Sequence, residues 1–137
     1  MKVLARRRCL LAVVAPLALS FVPQTPAAAF DDGDFCVAAK QLAVAADGDI
    51  GVWVDRKTRS AGMVVSCDSK TIVFRRFTYT PTAAMDGAWK EARAAEWNSR
   101  HCSSRLWTQA VRNAWKVVLS VTAFDGGNVS LNATCKK

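Results

Sequence analysis

The sequence predicts an α+β domain of about five mostly antiparallel strands with three helices packed on the sheet, in the order α-β-β-β-α-α-β-β, stapled by two disulfides. Three observations carry that expectation. Apolar residues recur at three- and four-residue steps in segments 35–46, 83–99 and 103–115, the period of a helix that buries one face. Five shorter segments alternate in polarity or concentrate β-branched and aromatic residues, and turn residues bound them. Beyond position 29 the cysteines form an even set, Cys36, Cys67, Cys102 and Cys135, as expected of a small exported domain that profits from cross-links.

The start of the chain supports export. Lys2, Arg6, Arg7 and Arg8 form a basic stretch without acid, an apolar run covers 9–22, and Ala27-Ala28-Ala29 supplies a small-x-small cleavage site. The run is shorter than the roughly 20 residues of a membrane span and ends in Pro23 and Pro26. The division is therefore a cleavable signal peptide, 1–29, and one domain, 30–137, in the periplasm or secreted, with no stable membrane insertion after the signal is removed. Arg6-Arg7 is a partial match to a twin-arginine signal. Cys9 leaves with the signal, and no lipidation cysteine follows the apolar run. The whole chain has 19 Lys+Arg against 11 Asp+Glu; without the four basic residues of the signal the balance is 15 against 11, or +4. Much of the basicity thus belongs to the signal, and no nucleic-acid-binding motif accompanies the rest.

Helix one follows the acidic Asp31, Asp32 and Asp34, which suit a helix N-terminus, and places Phe35, Ala38, Ala39, Leu42 and Ala46 on one stripe until Asp47-Gly48-Asp49 stops it. Strands are expected at 50–56, with Val52 and Val54 opposite Trp53; at 62–67, with Met63, Val65 and Cys67 on one face; and at 71–80. The polar Asp68-Ser69-Lys70 joins the last two as a hairpin. The third strand has apolar residues on both faces, which suggests a central position. Helix two runs from Ala83 to about Ser99, capped by Thr82 or Asp86, with Met85, Trp89, Ala92, Glu96 and Trp97 near one face and Lys90, Glu91 and Arg93 on the other. Helix three starts near Ser103 or Ser104 and carries Leu106, Trp107, Ala110, Val111, Ala114 and Trp115. The last two strands flank Asp125-Gly126-Gly127-Asn128, with Val129, Leu131, Ala133 and Cys135 on one face.

Few residues suggest catalysis. His101 beside Cys102 brings a Cys–His pair to mind, but adjacency in sequence does not aim two side chains at each other, and Cys102 is needed to make the cysteine count even. A surface or capping histidine is the expectation. Glu91 and Glu96, the only glutamates, stand about 140° apart around a helix and make no glycosidase pair. With a single histidine and no C-x2-C pair there is no zinc set, Asp47-Gly48-Asp49 lacks the other ligands of a calcium loop, and no cofactor motif is present. Asn128-Val129-Ser130 and Asn132-Ala133-Thr134 match glycosylation sequons, which matter only in a eukaryotic source.

Five tryptophans are many for one small domain. Trp107 and Trp115 lie on the helix-three stripe and are expected in the core, with Trp89 and Trp97 leaning the same way. Trp53, opposite Val52 and Val54, is a candidate for the surface. With the densest basic stretches it defines a possible interaction surface of Trp53, Arg56, Lys57, Arg59, Arg75 and Arg76.

From Trp97-Asn98 through Cys102, Trp107, Ala110-Val111, Trp115-Lys116-Val117 and Asp125-Gly126 to Cys135, the C-terminal third resembles small exported bacterial proteins of unassigned function. The resemblance implies a periplasmic home and a Cys102–Cys135 bridge, and no activity. The layout is also similar to one class of secretion pilotins; those are lipid-anchored, whereas this sequence lacks the lipidation cysteine, so the likeness is one of architecture only. Four cysteines allow three pairings. The preferred map is Cys36–Cys67 and Cys102–Cys135, each tying a helix start to the inner face of a strand. The function expected is that of a non-enzymatic binding or adaptor protein whose partner is an envelope protein or polymer, without cofactor, metal or nucleic acid. The alternatives are an inhibitor of a secreted hydrolase, presenting residues 56–62 as a rigid loop, or a small enzyme.

Overall fold

The computed structural model describes residues 29–135. All of the predicted signal peptide but Ala29 lies outside these residues. The elements are α1 (Asp32–Gly48), β1 (Trp53–Asp55), β2 (Thr58–Ser66), β3 (Thr71–Thr78), α2 (Gly87–Cys102), α3 (Arg105–Arg112), β4 (Lys116–Ala123) and β5 (Asn128–Asn132), with a 3-10 turn at Thr82–Ala84. The strands form one sheet in the order β1-β2-β3-β4-β5. Every pairing is antiparallel except β3 with β4, which run parallel and are joined by the crossover through α2 and α3. This is the α+β arrangement the sequence predicts.

Alternation puts Ile72, Phe74, Arg76 and Thr78 of β3 on the helix-covered face, level with Val117, Leu119, Val121 and Ala123 of β4. Ile72 and Val117 are fully buried at adjacent register positions. Around Ile72 pack Phe35, Ala39, Met63, Ala110 and Trp115; around Val117 pack Trp97, Leu119 and Ala133. Trp97 Nε1 donates to the Val117 carbonyl (3.2 Å), so this indole meets its polar requirement without leaving the core.

Caps explain where the helices start. The Asp31 carboxylate accepts from Asp34 N (2.8 Å), and the Asp86 carboxylate accepts from Trp89 N (2.9 Å). Of the two caps expected for helix two, Asp86 serves. Thr82 instead opens the 3-10 turn, its backbone N donating to Asp125 Oδ2 (2.9 Å), so the helix begins four residues later than its apolar period suggests. On α1 the buried positions are Phe35, Cys36 and Ala39, whereas Leu42 is half exposed, so the stripe lies one step round from the expected one.

The longest departure is in β2. The expected strand 62–67 is the second half of a strand that begins at Thr58. Its pairing with β3 slips between Ser60 and Met63, where Ala61 and Gly62 together face the single residue Arg75. Gly62 has φ +87°, and a Cβ there would stand 3.2 Å from Asp47 Oδ1 and 3.3 Å from Ile50 Cδ1. The bulge resets the alternation. Thr58 and Ser60 before it, and Met63 and Val65 after it, all face the helices. Consequently residues 58–62 are sheet, and the projecting loop that an inhibitor would offer at 56–62 is replaced by a tight β1–β2 turn at Arg56 and Lys57.

Cys36 is bridged to Cys67 with Cα atoms 5.8 Å apart, and Cys102 to Cys135 at 5.3 Å. The first ties the start of α1 to the end of β2. In the second, Cys102 ends α2 and Cys135 lies just past β5, so this bridge ties a helix end, not a helix start, to the chain beyond the last strand.

Candidate functional site

The six residues of the predicted surface divide between the two faces of the sheet. Trp53 and Arg59 pair across β1 and β2 on the face that no described helix covers, with the Arg59 guanidinium 4.1 Å from the Trp53 ring centre. Tyr79 flanks the same guanidinium at 5.9 Å and lies 5.7 Å from Trp53, and Phe77, opposite Arg59 in register, meets Tyr79 edge-on at 5.4 Å. Trp53 and Tyr79 are about half exposed (50% and 48%). Arg59 Nε is buried against this stack without a hydrogen-bond partner. The contact is a cation–π stack of Arg59 on Trp53 with Tyr79 alongside, which suits Arg because its planar, weakly hydrated group stacks without loss of charge. Arg56 and Lys57 are exposed on the turn beside it, and Arg75 is exposed on the same face. Farther along this face lie Val64, at 45% exposure, and a row of hydroxyl and amide side chains at Thr122, Asn128 and Ser130.

Arg76 is not part of this surface. Neighbours along a strand point to opposite faces, so Arg76 points beneath α2 while Arg75 stays outside, and the two do not form one basic patch. Beneath α2 it lines a cavity of about 60 Å³ with Val54, Trp89, Trp97, Arg93 and Arg100. The expectation that Arg93 sits on the outer side of helix two is also corrected: its guanidinium reaches Asp55 Oδ2 (3.2 Å) and Glu96 Oε2 (3.1 Å), and Glu96 Oε1 accepts from Arg100 (3.2 Å). Burial favours the neutral form of Asp55, but hydrogen bonds from Lys57 N and Thr58, with the charge of Arg93, hold its carboxyl below the usual 3.8.

Sequence reasoning missed Tyr79, Phe77, Arg93, Glu96 and Arg100 as members of these sites. The signal for the last three was present, since Arg93, Glu96 and Arg100 stand three and four residues apart, the spacing of helical ion pairs.

His101 is neither a surface nor a capping residue. It is buried, its ring lies tilted against Trp97 at 3.9 Å, and Nδ1 donates to the Trp97 carbonyl (3.0 Å). Burial pushes its pKa below the usual 6.5; the bond to Trp97 works the other way, and the charge of Arg100 adds to the lowering. Its neighbour Cys102 is held in the bridge to Cys135, so the adjacent pair offers no thiolate.

No family model matches this chain, and no curated protein matches it in sequence. Among solved structures it is similar in fold to a presumed secreted protein from Pseudomonas aeruginosa. The TM-score is 0.59 at 10% sequence identity, over 77% of this chain and 94% of the other. The likeness shows the fold alone, a small α+β domain; the two disulfides are read from this chain. Among the described residues, no helix is long and apolar enough to cross a membrane.

Proposed function

We propose that this chain is an exported, non-enzymatic binding protein of the cell envelope, which holds a protein or polymer partner against the bare face of its sheet. Two disulfides support the extracytoplasmic setting, since such bridges persist where the surroundings are oxidising. One observation supports the binding role above the rest: the Trp53–Arg59–Tyr79 stack is organised before any partner arrives and remains half open to solvent. Rigid aromatic and guanidinium groups of this kind are the residues that dominate binding energy at interfaces.

The test compares the mature protein with the double variant Trp53→Ala, Arg59→Ala, each immobilised and exposed to solubilised envelope from its own host. A component retained by the first and released by the second is the expected result. Equal retention by both proteins, or turnover of a substrate by the wild type, would end this reading.

A further inference from the structure

The cavity beneath α2 holds a charge imbalance. Three guanidiniums, of Arg76, Arg93 and Arg100, line it with two carboxylates, of Asp55 and Glu96. Both carboxylates are engaged, Asp55 by Arg93 and Glu96 by Arg93 and Arg100. Arg76 is left over. Its Nη1 donates to Ser60 Oγ (2.9 Å) and to the Arg75 carbonyl (3.3 Å), and among the described residues no carboxylate lies within 4.0 Å of it. Burial disfavours its charged form, and the charge of Arg100 adds to this while Asp49 opposes it. A desolvated charge is costly unless it is paired. This one is carried by a central strand and borders a space large enough for more than one water or for a small ligand group.

The walls narrow the choice of ligand. Val54, Trp89, Trp97, Leu119 and Val121 supply apolar surface around the guanidinium. One surplus positive charge matches a monoanion, and the planar fork of arginine matches a planar acceptor pair. Apolar walls match an organic body more than a bare inorganic ion. We infer that the cleft between α2 and the sheet is a binding site for a carboxylate carried on an apolar body, with the carboxylate on Arg76 and the body against Trp89 and Val54. This site lies on the opposite face of the sheet from the Trp53–Arg59 stack, so either assignment can fail alone.

Trp89 and Trp97 make the test direct. The mature, fully bridged protein is titrated with hexanoate, hexan-1-ol and inorganic phosphate, and with one apolar hexapeptide ending in a free carboxylate or an amide, while tryptophan emission and heat are recorded. Saturable binding of hexanoate or the free-carboxylate peptide, with little response to the alcohol, the amide or phosphate, is expected. The tighter of the two carboxylates then tells whether the natural source is a free acid or a chain terminus. Arg76→Met should weaken binding roughly ten- to a hundredfold, the worth of a hydrogen bond to a charged group, with an unchanged far-ultraviolet spectrum. Should that variant fail to fold, Arg100→Gln on the exposed rim takes its place, with a severalfold loss expected. No saturable response to either carboxylate, equal binding of hexanol or phosphate, or undiminished affinity in a folded variant would overturn the assignment.

Discussion

The two ends of this sheet are built to different rules. At one end Ile72 is sealed by Phe35, Trp107 and Trp115 and Val117 by Trp97 and Ala133, and both disulfides close nearby, Cys67 just past β2 and Cys135 just past β5. At the other end the same strands present Thr58, Thr78 and Arg76 to the helices and the Trp53–Arg59 stack to solvent, with no covalent cross-link. β3 spans both, from Ile72 to Thr78. The difference teaches that the cross-linked core and the exposed aromatic–arginine stack are separated along the strands, so each can be changed with little effect on the other.

The largest effect should come from the stapled end. Replacing Cys36 and Cys67 together by alanine opens a loop of 31 residues, and the chain-entropy relation gives a loss of about 3–4 kcal/mol; the Cys102–Cys135 pair, separated by 33, should cost about as much. Chemical denaturation of the single-bridge proteins measures both, and a loss below about 1 kcal/mol would show that packing alone holds that end. Next is the bulge between the two ends. Gly62→Ala forces a β-carbon onto a positive φ and toward Asp47 and Ile50, for an expected loss of about 1–2 kcal/mol by the same measurement.

At the open end the sign changes. Arg76→Met removes an unpaired, half-buried charge, and stability should stay level or rise by up to about 1 kcal/mol. A large loss would mean that the cavity end is structural. A double-mutant cycle on Trp53 and Arg59 should give a coupling of about 0.5–1 kcal/mol.

Acid sharpens the contrast by another route. His101 has a folded-state pKa below its usual 6.5, so the unfolded chain binds the proton more readily. The stability it contributes is therefore complete above about pH 6.5 and is lost as the pH falls toward the folded value. Melting temperature should fall between neutrality and mild acid, and His101→Phe should flatten that slope.

The sequence makes much of this fold legible because its strongest signals are local. The period of α3, the Asp125-Gly126 turn and the alternation of Val129, Leu131 and Ala133 each report one element at short range. Strand order and the parallel β3–β4 pairing depend on contacts between distant segments and leave no such local trace. The bulge at Gly62 hid the first half of β2 by interrupting its alternation, and Thr58 and Ser60 looked like loop because they face a polar part of the interior. The candidate sites were less legible still. Trp53 was suspect by composition, but that Arg75 and Arg76 part company follows only once the strand is known to be covered on one face. The inward turn of Arg93 follows from Asp55, which lies far away in the chain.

The seam between β3 and β4 has a consequence for how the molecule is made. Each bridge joins cysteines that are consecutive among the described residues, Cys36 with Cys67 and Cys102 with Cys135, and neither bridge crosses the seam. In a chain delivered N-terminus first into an oxidising compartment, the first pair is complete before the second has emerged. An oxidase that joins thiols in order of arrival therefore produces the native map directly. Reshuffling of disulfides, a step of seconds to hours, has no place on this route.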